Sequence, residues 1–283
     1  MQILPSKGLS SYIKHYLFLE SVGDDIKKLR LFSDGNTGLV FSFKNNITHY
    51  LPENQRFINL PNAFIYGQIS DFKDLFLKKI TSLIIVVFQP YGIHRLLGMP
   101  ANELKNSILN IDEIMGQQGL ILYEELSVQQ DLVTKLQLLN SFFLKLSEKM
   151  PNRNQILIDA SLDFILKNGG EITIAQLVKH IGYTERHIER LFSETIGLNP
   201  KKFGNIVQLH HFLKLLRSPT NQKKITDLCY NTGYVDQSHL IKVFRKYTGI
   251  TPTQYLNNTQ KLAVNFIEFK TPDAPMSGLY NSQ

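Results

Sequence analysis

The sequence predicts an α+β fold of two domains: a β-rich sandwich or barrel with flanking helices, followed by an all-α domain. Three observations predict it. Apolar runs are short and punctuated up to about residue 110, and from about residue 118 they recur at helical spacing. A helical pattern also occurs twice in the C-terminal third. A length of 283 residues favours two domains over one.

The β-rich domain, predicted over residues 1–115, rests on four short apolar runs. Turn-forming clusters such as DGNTG, KNN and LPN separate these runs. The run LVFSF mixes β-branched and aromatic residues, as a half-buried strand does. Gln89-Pro90-Tyr91-Gly92 ends the strongest run and leads into a short helical stretch. The four predicted strands are residues 29–33, 39–43, 63–67 and 82–88.

A helical segment is predicted over residues 116–150. Apolar residues recur there every three or four positions, with Glu, Lys and Gln between them, which indicates amphipathic helices. These helices either pack on their own domain or serve partly in self-association, and the pattern leaves both interpretations open. Met150-Pro151-Asn152 breaks the pattern and is predicted to be a linker.

The excess of positive charge is concentrated on the C-terminal side of this linker. Residues 1–150 hold 15 Lys and Arg against 14 Asp and Glu, whereas residues 151–259 hold 14 against 8. A field of that sign points to nucleic acid or to an anionic membrane surface, with a merely solvated basic domain as the alternative. The tail, residues 259–283, carries one predicted feature, a short strand at 264–269.

Several classes of protein are disfavoured by the sequence. Cys229 is the only cysteine, so no internal disulfide can form, which suits a reducing compartment. The longest purely apolar run has six residues and the N-terminus lacks an apolar signal region. No His-x-His pair that would begin a metal site is present. We therefore expect a cytoplasmic protein that has no membrane partner, no metal and no other cofactor.

The basic segment contains an internal repeat. Residues 174–183 match residues 225–234, and residues 187–203 match residues 239–255 after one extra residue in the second turn. Each copy opens with a short helix, and Gly182 or Gly233 supplies the left-handed turn that ends it. A second helix then follows from the N-cap residue Thr184 or Asp236. Two copies of helix, glycine turn and helix, spaced alike in a basic segment, predict two helix-turn-helix units.

A central helix is predicted between the two copies. Asn199-Pro200 supplies an N-cap residue followed by proline at the first helical position, and Ser218-Pro219 stops the helix after about Leu216. Seventeen residues at about 1.5 Å each span roughly 25 Å. With the half-widths of the flanking helices added, this length is compatible with the roughly 34 Å between successive major grooves.

Residues 155–258 resemble the AraC/XylS-type transcription regulators. The resemblance rests on Gly233-Tyr234, Gln237-Ser238-His239, Phe244-Arg245-Lys246, Gly249 and Pro252-Thr-Gln-Tyr255. It implies an all-α DNA-binding domain over 151–258, with two helix-turn-helix units joined by a central helix. Residues 12–16, 33–35 and 88–98 also look like a less-studied sensor domain of such regulators, which implies a cupin-like β fold without a known ligand.

The resemblance implies base-reading positions on the second helix of each unit. The arginine fork matches the O6 and N7 atoms of guanine, and glutamine pairs with adenine in the same bidentate way. Glu189 departs from the neutral polar residue that the family often has, so it either reads a cytosine amine or repels phosphate. The predicted base-reading residues are Arg186, Glu189, Arg190, Gln237, Ser238, His239 and Lys242.

Phosphate contacts are expected to position the protein without specifying sequence. The predicted phosphate-binding residues are Thr184, His187, Arg245 and Lys246. For Arg245 and Lys246 solvated charge is the alternative, and for Arg186 and Arg190 it is phosphate anchoring or pairing with Glu189.

The function predicted from these observations is sequence-specific binding of double-stranded DNA in transcription regulation, not enzymatic catalysis. The N-terminal domain is expected to sense a small-molecule effector or to mediate homodimerisation. RNA polymerase is the expected partner if the protein activates transcription. The alternatives are a cupin-like enzyme tethered to DNA and an effector-free interaction protein that uses helices 118–149.

Overall fold

The computed structural model describes residues 1–21, 26–77, 80–148, 155–218, 225–257, 259–263 and 265–269. The predicted linker at Met150-Pro151-Asn152 and the proline of Ser218-Pro219 lie outside these residues, as do residue 264 and residues 270–283. The strands are β1 Gln2–Ile3, β2 Ile13–Ser21, β3 Lys27–Leu31, β4 Gly38–Ser42, β5 Thr48–Leu51, β6 Arg56–Asn59, β7 Ala63–Tyr66, β8 Lys73–Leu77, β9 Thr81–Phe88, β10 Ile108–Asn110, β11 Thr259–Lys261 and β12 Phe266–Phe269. The helices are α1 Gly92–Leu97, α2 Ile111–Val128, α3 Leu132–Ser147, α4 Gln155–Lys167, α5 Ile174–Ile181, α6 Glu185–Ile196, α7 Pro200–Leu216, α8 Ile225–Asn231, α9 Gln237–Thr248 and α10 Pro252–Asn257.

The strands form two antiparallel six-stranded sheets, in the orders β1-β2-β9-β4-β7-β10 and β11-β12-β3-β8-β5-β6. The side chains of β9 show how the sheets pack. Alternate residues of a strand face opposite sides of its sheet, so β9 contributes to two different cores. Leu83, Ile85 and Val87 join a core shared with the second sheet, whereas Ile84 and Val86 join a core under the helices. Both faces of β9 are therefore buried. The fold class predicted from the sequence is confirmed.

Helices α2 and α3 cover the outer face of the first sheet. Leu122 and Leu126 of α2 and Leu139 and Phe143 of α3 are buried in one core with Ile84. The helical segment therefore packs on the N-terminal domain, as one of the two interpretations predicted. None of the described helices combines the length and the apolar character needed to cross a membrane.

Helices α4 to α10 surround a core of their own, with the central helix α7 in the middle. Phe203, Leu209 and Phe212 of α7 are buried in that core together with the inner faces of α6 and α9. Asn199 caps α7 by accepting a hydrogen bond from the Lys202 amide, with Pro200 at the first helical position. The predicted central helix is present with these ends.

Two segments tie the halves of the molecule together. Phe32, which follows β3, is fully buried in the core of the helical domain. In the other direction the chain leaves α10 and returns as β11 and β12, and β12 pairs with β3 in the register Phe266 to Leu31, Ile267 to Arg30 and Glu268 to Leu29. The strand predicted at 264–269 is thus present as Phe266–Phe269, and it belongs to the second sheet of the N-terminal sandwich.

Candidate nucleic-acid interface

The first helix-turn-helix unit consists of α5 and α6. Thr173 and Gln176 form a reciprocal capping box at the start of α5, and Gly182 ends that helix with φ of 79°. Thr184 then caps α6 by accepting a hydrogen bond from the His187 amide. These short-range interactions stabilise the helix termini on both sides of the glycine turn.

The second unit repeats this construction in α8 and α9. Gly233 has φ of 72° in the turn. The Asp236 carboxylate caps α9 by accepting a 2.7 Å hydrogen bond from the His239 amide. Because the N-caps fall at matching positions of the repeat, the second helices of the two units begin at matching residues.

The second helix of each unit has a buried spine and a polar outer face. Ile188, Leu191 and Phe192 of α6 are buried, as are Leu240 and Phe244 of α9. Val243 is partly buried against the same core. The structure places all seven predicted base-reading residues at the exposed surface: Arg186, Glu189, Arg190, Gln237, Ser238, His239 and Lys242. Among the predicted phosphate-binding residues, Thr184, Arg245 and Lys246 are exposed and His187 is half-buried.

Arg190 is paired along its own helix. Its Nη1 atom lies 3.2 Å from Glu194 Oε1, in an i,i+4 ion pair of which both members are exposed. The alternative suggested by the sequence was a pair with Glu189, and the structure pairs the arginine with Glu194 instead. On a helix the residues at i and i+1 diverge by about 100°, whereas residues at i and i+4 lie one above the other.

Tyr183 is a surface residue that the sequence marked only as part of the repeat. Its ring stacks on His187 with centroids 5.0 Å apart, and half of the side chain is exposed. Its counterpart Tyr234 is buried, where it lies edge-on to His239. The two units therefore differ at this position of the repeat. The first unit exposes an aromatic ring beside its second helix, whereas the second unit buries the corresponding ring.

Cys229 and His210 are both accounted for by packing. Cys229 is fully buried, and burial raises the pKa of its thiol, so the unreactive protonated form predominates. His210 Nε2 lies 2.9 Å from the carbonyl oxygen of Ser33, and burial lowers the pKa of this imidazole. Among the described residues, no group of three or more His, Cys, Asp and Glu side chains could hold a metal ion.

Cavities of the described residues include one between the two sheets and one between the two halves of the chain. An apolar cavity of about 60 Å³ lies between the two sheets, and Phe64, Leu83 and Phe266 are among its walls. A larger and more polar cleft of about 770 Å³ separates the sandwich from α4 and α7. Lys14 and Tyr91 line this cleft from one side, and Asp163 and Lys214 line it from the other.

Both halves of the chain match known family models. Residues 177–258 match a family model described as a helix-turn-helix domain, and residues 1–110 match one described as a domain of unknown function, DUF6597. The chain carries an AraC-type helix-turn-helix domain. The resemblance inferred from residues 155–258 is thereby confirmed, and α6 and α9 are the recognition helices of this AraC-type domain.

Similar proteins include regulators and solved structures. The lactose operon transcription activator of Staphylococcus xylosus is 26% identical in an alignment of 180 positions, and the alignment covers 59% of this chain and 61% of that protein. The chain thus spans less than two thirds of the length of this curated relative. ToxT from Vibrio cholerae covers 85% of this chain, and 97% of its own chain, at a TM-score of 0.47 and 11% identity. A probable AraC family transcriptional regulator from Rhodopseudomonas palustris covers 35% of this chain, and 94% of its own, at a TM-score of 0.33 and 25% identity.

Proposed function

We propose that the protein is a sequence-specific DNA-binding transcription regulator whose recognition helices α6 and α9 read neighbouring major grooves. One observation carries the proposal: two matched helix-turn-helix units stand on one central helix, and the outer faces of both recognition helices are polar and exposed. The role requires no catalytic group, and it places the protein in the cytoplasm with its DNA.

Base reading is assigned to the exposed face near the start of each recognition helix. Arg186 and Arg190 lie four residues apart on α6, so either guanidinium can meet guanine, and Gln237 on α9 can pair with adenine. Each good bidentate contact contributes about 1–3 kcal/mol of discrimination against a wrong base. Glu189, between the arginines, can accept a hydrogen bond from a cytosine amine. Ser238, His239 and Lys242 complete the face of α9.

Phosphate contact is assigned to residues at the edges of these faces. Thr184 and His187 stand at the start of α6, where the helix N-terminus also favours an anion. Arg245 and Lys246 stand in the last turn of α9 and are exposed. Such contacts raise the affinity for every sequence and make binding strongly salt-dependent.

Selection of bound DNA from a random pool by the full-length protein tests the proposal. We expect one enriched site with two half-sites about one helical turn apart, since each recognition helix reads one groove. Competition with unrelated duplex at physiological salt then gives the specificity ratio, expected to be about a thousandfold or more. A pool that shows no enrichment after repeated selection would refute sequence-specific binding.

We further propose that the cleft between the sandwich and α4 and α7 receives a small-molecule effector. Its volume of about 770 Å³ suits a small ligand, and both halves of the chain line it, so a bound molecule would contact both. Thermal unfolding in the presence of a panel of sugars, organic acids and amino acids tests this. A Val207→Trp variant, which narrows the cleft, should abolish any stabilisation, and a stabilising compound that acts equally on this variant would place the site elsewhere. We also propose that the protein forms a homodimer and that, if it activates transcription, it contacts RNA polymerase.

A further inference from the structure

Each recognition helix is anchored to the N-terminal domain by a carbonyl group in its last turn. The Ala101 amide donates a 2.7 Å hydrogen bond to the carbonyl oxygen of Glu194, in the last turn of α6. Arg30 Nη1 donates a 3.1 Å hydrogen bond to the carbonyl oxygen of Thr248, the last residue of α9. Carbonyl groups in the last turn of a helix lack partners within that helix, so both anchors satisfy acceptors that would otherwise need water.

The glycines that end the two recognition helices lie against the same domain. Gly197 and Gly249, which correspond in the repeat, have φ of 83° and 71°. A Cβ atom on Gly197 would lie 2.7 Å from the carbonyl oxygen of Ala101, and one on Gly249 would overlap Arg30 and the Phe72 ring. No space is left at either point, so neither helix end can move closer to the N-terminal domain without displacing residues of that domain.

Arg30 is held rigidly in this position. Its guanidinium makes a two-point bond to Asp74, with Nε to Oδ1 at 2.6 Å and Nη2 to Oδ2 at 2.8 Å, and stacks on the Phe72 ring. Arg30 is 2% exposed, and its backbone pairs with Ile267 of β12, the strand that the chain forms after leaving α10. The sheet, the ion pair and the end of α9 therefore form one connected unit.

The anchors lie in the last turn of each recognition helix, whereas the predicted base-reading residues lie in its first half, from Arg186 to Arg190 on α6 and from Gln237 to Lys242 on α9. Each helix has 12 residues and is about 18 Å long, so a tilt of about 10° at its anchor moves its far end by roughly 3 Å. That displacement exceeds the tolerance of a hydrogen bond to a base edge. A small rearrangement of the sandwich therefore moves the start of each recognition helix far enough to break its contacts with bases.

We propose that the N-terminal sandwich is the template that sets the spacing and tilt of the two recognition helices, with Arg30 as the positioning residue for α9. This inference rests on the proposed DNA-binding function and adds its regulation. A rearrangement within the sandwich changes which half-site spacing the protein accepts. It acts at the helix ends and leaves the base-reading side chains unaltered.

The test measures affinity for the duplex selected by the wild-type protein and for duplexes with one to three base pairs inserted between its half-sites. The affinity of the wild-type protein should fall by about tenfold or more when a single base pair is inserted, because its recognition helices cannot change their spacing to match the new half-site spacing. The variant Arg30→Met/Asp74→Asn removes the anchor and its counter-charge together. Its affinity should fall by less than about threefold when the same base pair is inserted.

Arg95→Met is the matched control. Arg95 also stacks on an aromatic ring, Tyr91, and also pairs across the two halves, with Asp159 at 3.2 Å, but Asp159 lies on α4 and not on a recognition helix. This variant should keep the wild-type dependence on spacing. If the affinity of Arg95→Met also became less dependent on half-site spacing, the spacing preference could not be assigned to the contact between Arg30 and α9.

A second pair of variants covers the case in which the Arg30 variant does not fold. Gly249→Ala forces a methyl group against Arg30 and Phe72, whereas Gly116→Ala, in α2 and outside both helix-turn-helix units, also strains the backbone, at φ of 56°, with no atom within 4 Å of the added carbon. Gly249→Ala should change the preferred spacing and Gly116→Ala should not. Folded anchor variants with the wild-type spacing preference would overturn the inference while leaving DNA binding intact. A wild-type protein that selects no duplex would instead refute the proposed function.

Discussion

Arg190 Nη1 lies 3.2 Å from Glu194 Oε1, so one predicted base-reading side chain is paired with a carboxylate of its own helix before any DNA is bound. Both members are exposed, and such a pair contributes only about 0.3–0.5 kcal/mol. If Arg190 reads a guanine as proposed, exchanging Glu194 for that base therefore costs little free energy.

Replacing Glu194 with Gln should raise the affinity for the selected duplex by about two- to threefold, because Arg190 is released and a charge that repels phosphate is removed. Fluorescence anisotropy at fixed salt measures this change. Asp163→Asn breaks another exposed i,i+4 pair, with Lys167 on α4, and should leave DNA affinity unchanged when no effector is present. Weaker binding by Glu194→Gln would mean that the pair presents Arg190 to the base.

Replacing Arg186 and Arg190 with Ala should reduce sequence preference more than overall affinity. Each bidentate bond to a base supplies about 1–3 kcal/mol of discrimination, so the specificity ratio should fall by tenfold or more. Competition between selected and scrambled duplex measures the ratio. If the double variant still selects the same site from a random pool, the assignment of base reading to α6 is wrong.

Replacing Arg245 and Lys246 with Ala should weaken binding to all duplexes alike. The slope of log K against log salt should become shallower by about 0.9 for each phosphate that the variant no longer neutralises, while the selected sequence stays the same. Titrations at four or more salt concentrations measure the slope. An unchanged slope would identify these two side chains as solvated charge.

Removing the Arg30 side chain alone should destabilise the protein strongly. Arg30 and Asp74 are 2% and 7% exposed, and breaking a buried pair costs about 3–5 kcal/mol. Lys28 lies 3.4 Å from Asp74 Oδ2 and keeps a partner near that carboxylate, so we expect the lower end of this range for Arg30→Met. The double variant with Asp74→Asn should cost less than the sum of the single changes, as a denaturant double-mutant cycle would reveal. Additive costs would show that the two side chains do not stabilise each other.

Acidification should destabilise the fold through His210. Burial lowers the pKa of this imidazole below its ordinary 6.5, against the opposing influence of Asp34 and the bond to the Ser33 carbonyl. The folded state therefore binds fewer protons than the unfolded chain, so the free energy of unfolding falls as pH drops below 6.5 and levels off below the folded pKa. Each such group contributes at most about 1.4 kcal/mol per pH unit.

Chemical unfolding between pH 7.5 and 5.5 measures this dependence. Burial also lowers the pKa values of His15 and His49, so His210→Gln should reduce the slope without removing it. His211→Gln, at the adjacent helix position, is the control. A profile of His210→Gln that superimposes on that of the wild type would show that His210 is solvated.

The sequence predicted the features that depend on local interactions. The N-caps Thr184, Asp236 and Asn199 and the left-handed turns at Gly182 and Gly233 all occur as predicted, because each depends on a few adjacent residues. The buried spines of α6 and α9 follow from helical periodicity in the same way.

Structure that depends on distant partners was not predicted. Strand β6 has four exposed residues and lies at a sheet edge, so its sequence carries no apolar alternation. Strand β2 is nine residues long, yet it was noticed only as part of a family resemblance. The contact of Arg30 with Thr248 joins residues 218 positions apart, and a lone arginine in a strand gives no sign of which helix end it will meet.

The pairing of β12 with β3 has a consequence for biosynthesis. The second sheet takes two of its strands from residues 259–269, so a ribosome must translate past residue 269 before the sandwich can be completed. Until then β3 offers unpaired backbone groups to any neighbouring polypeptide, a known route to aggregation. We expect fragments that end before residue 259 to need chaperone assistance that the full-length protein, once released, no longer needs.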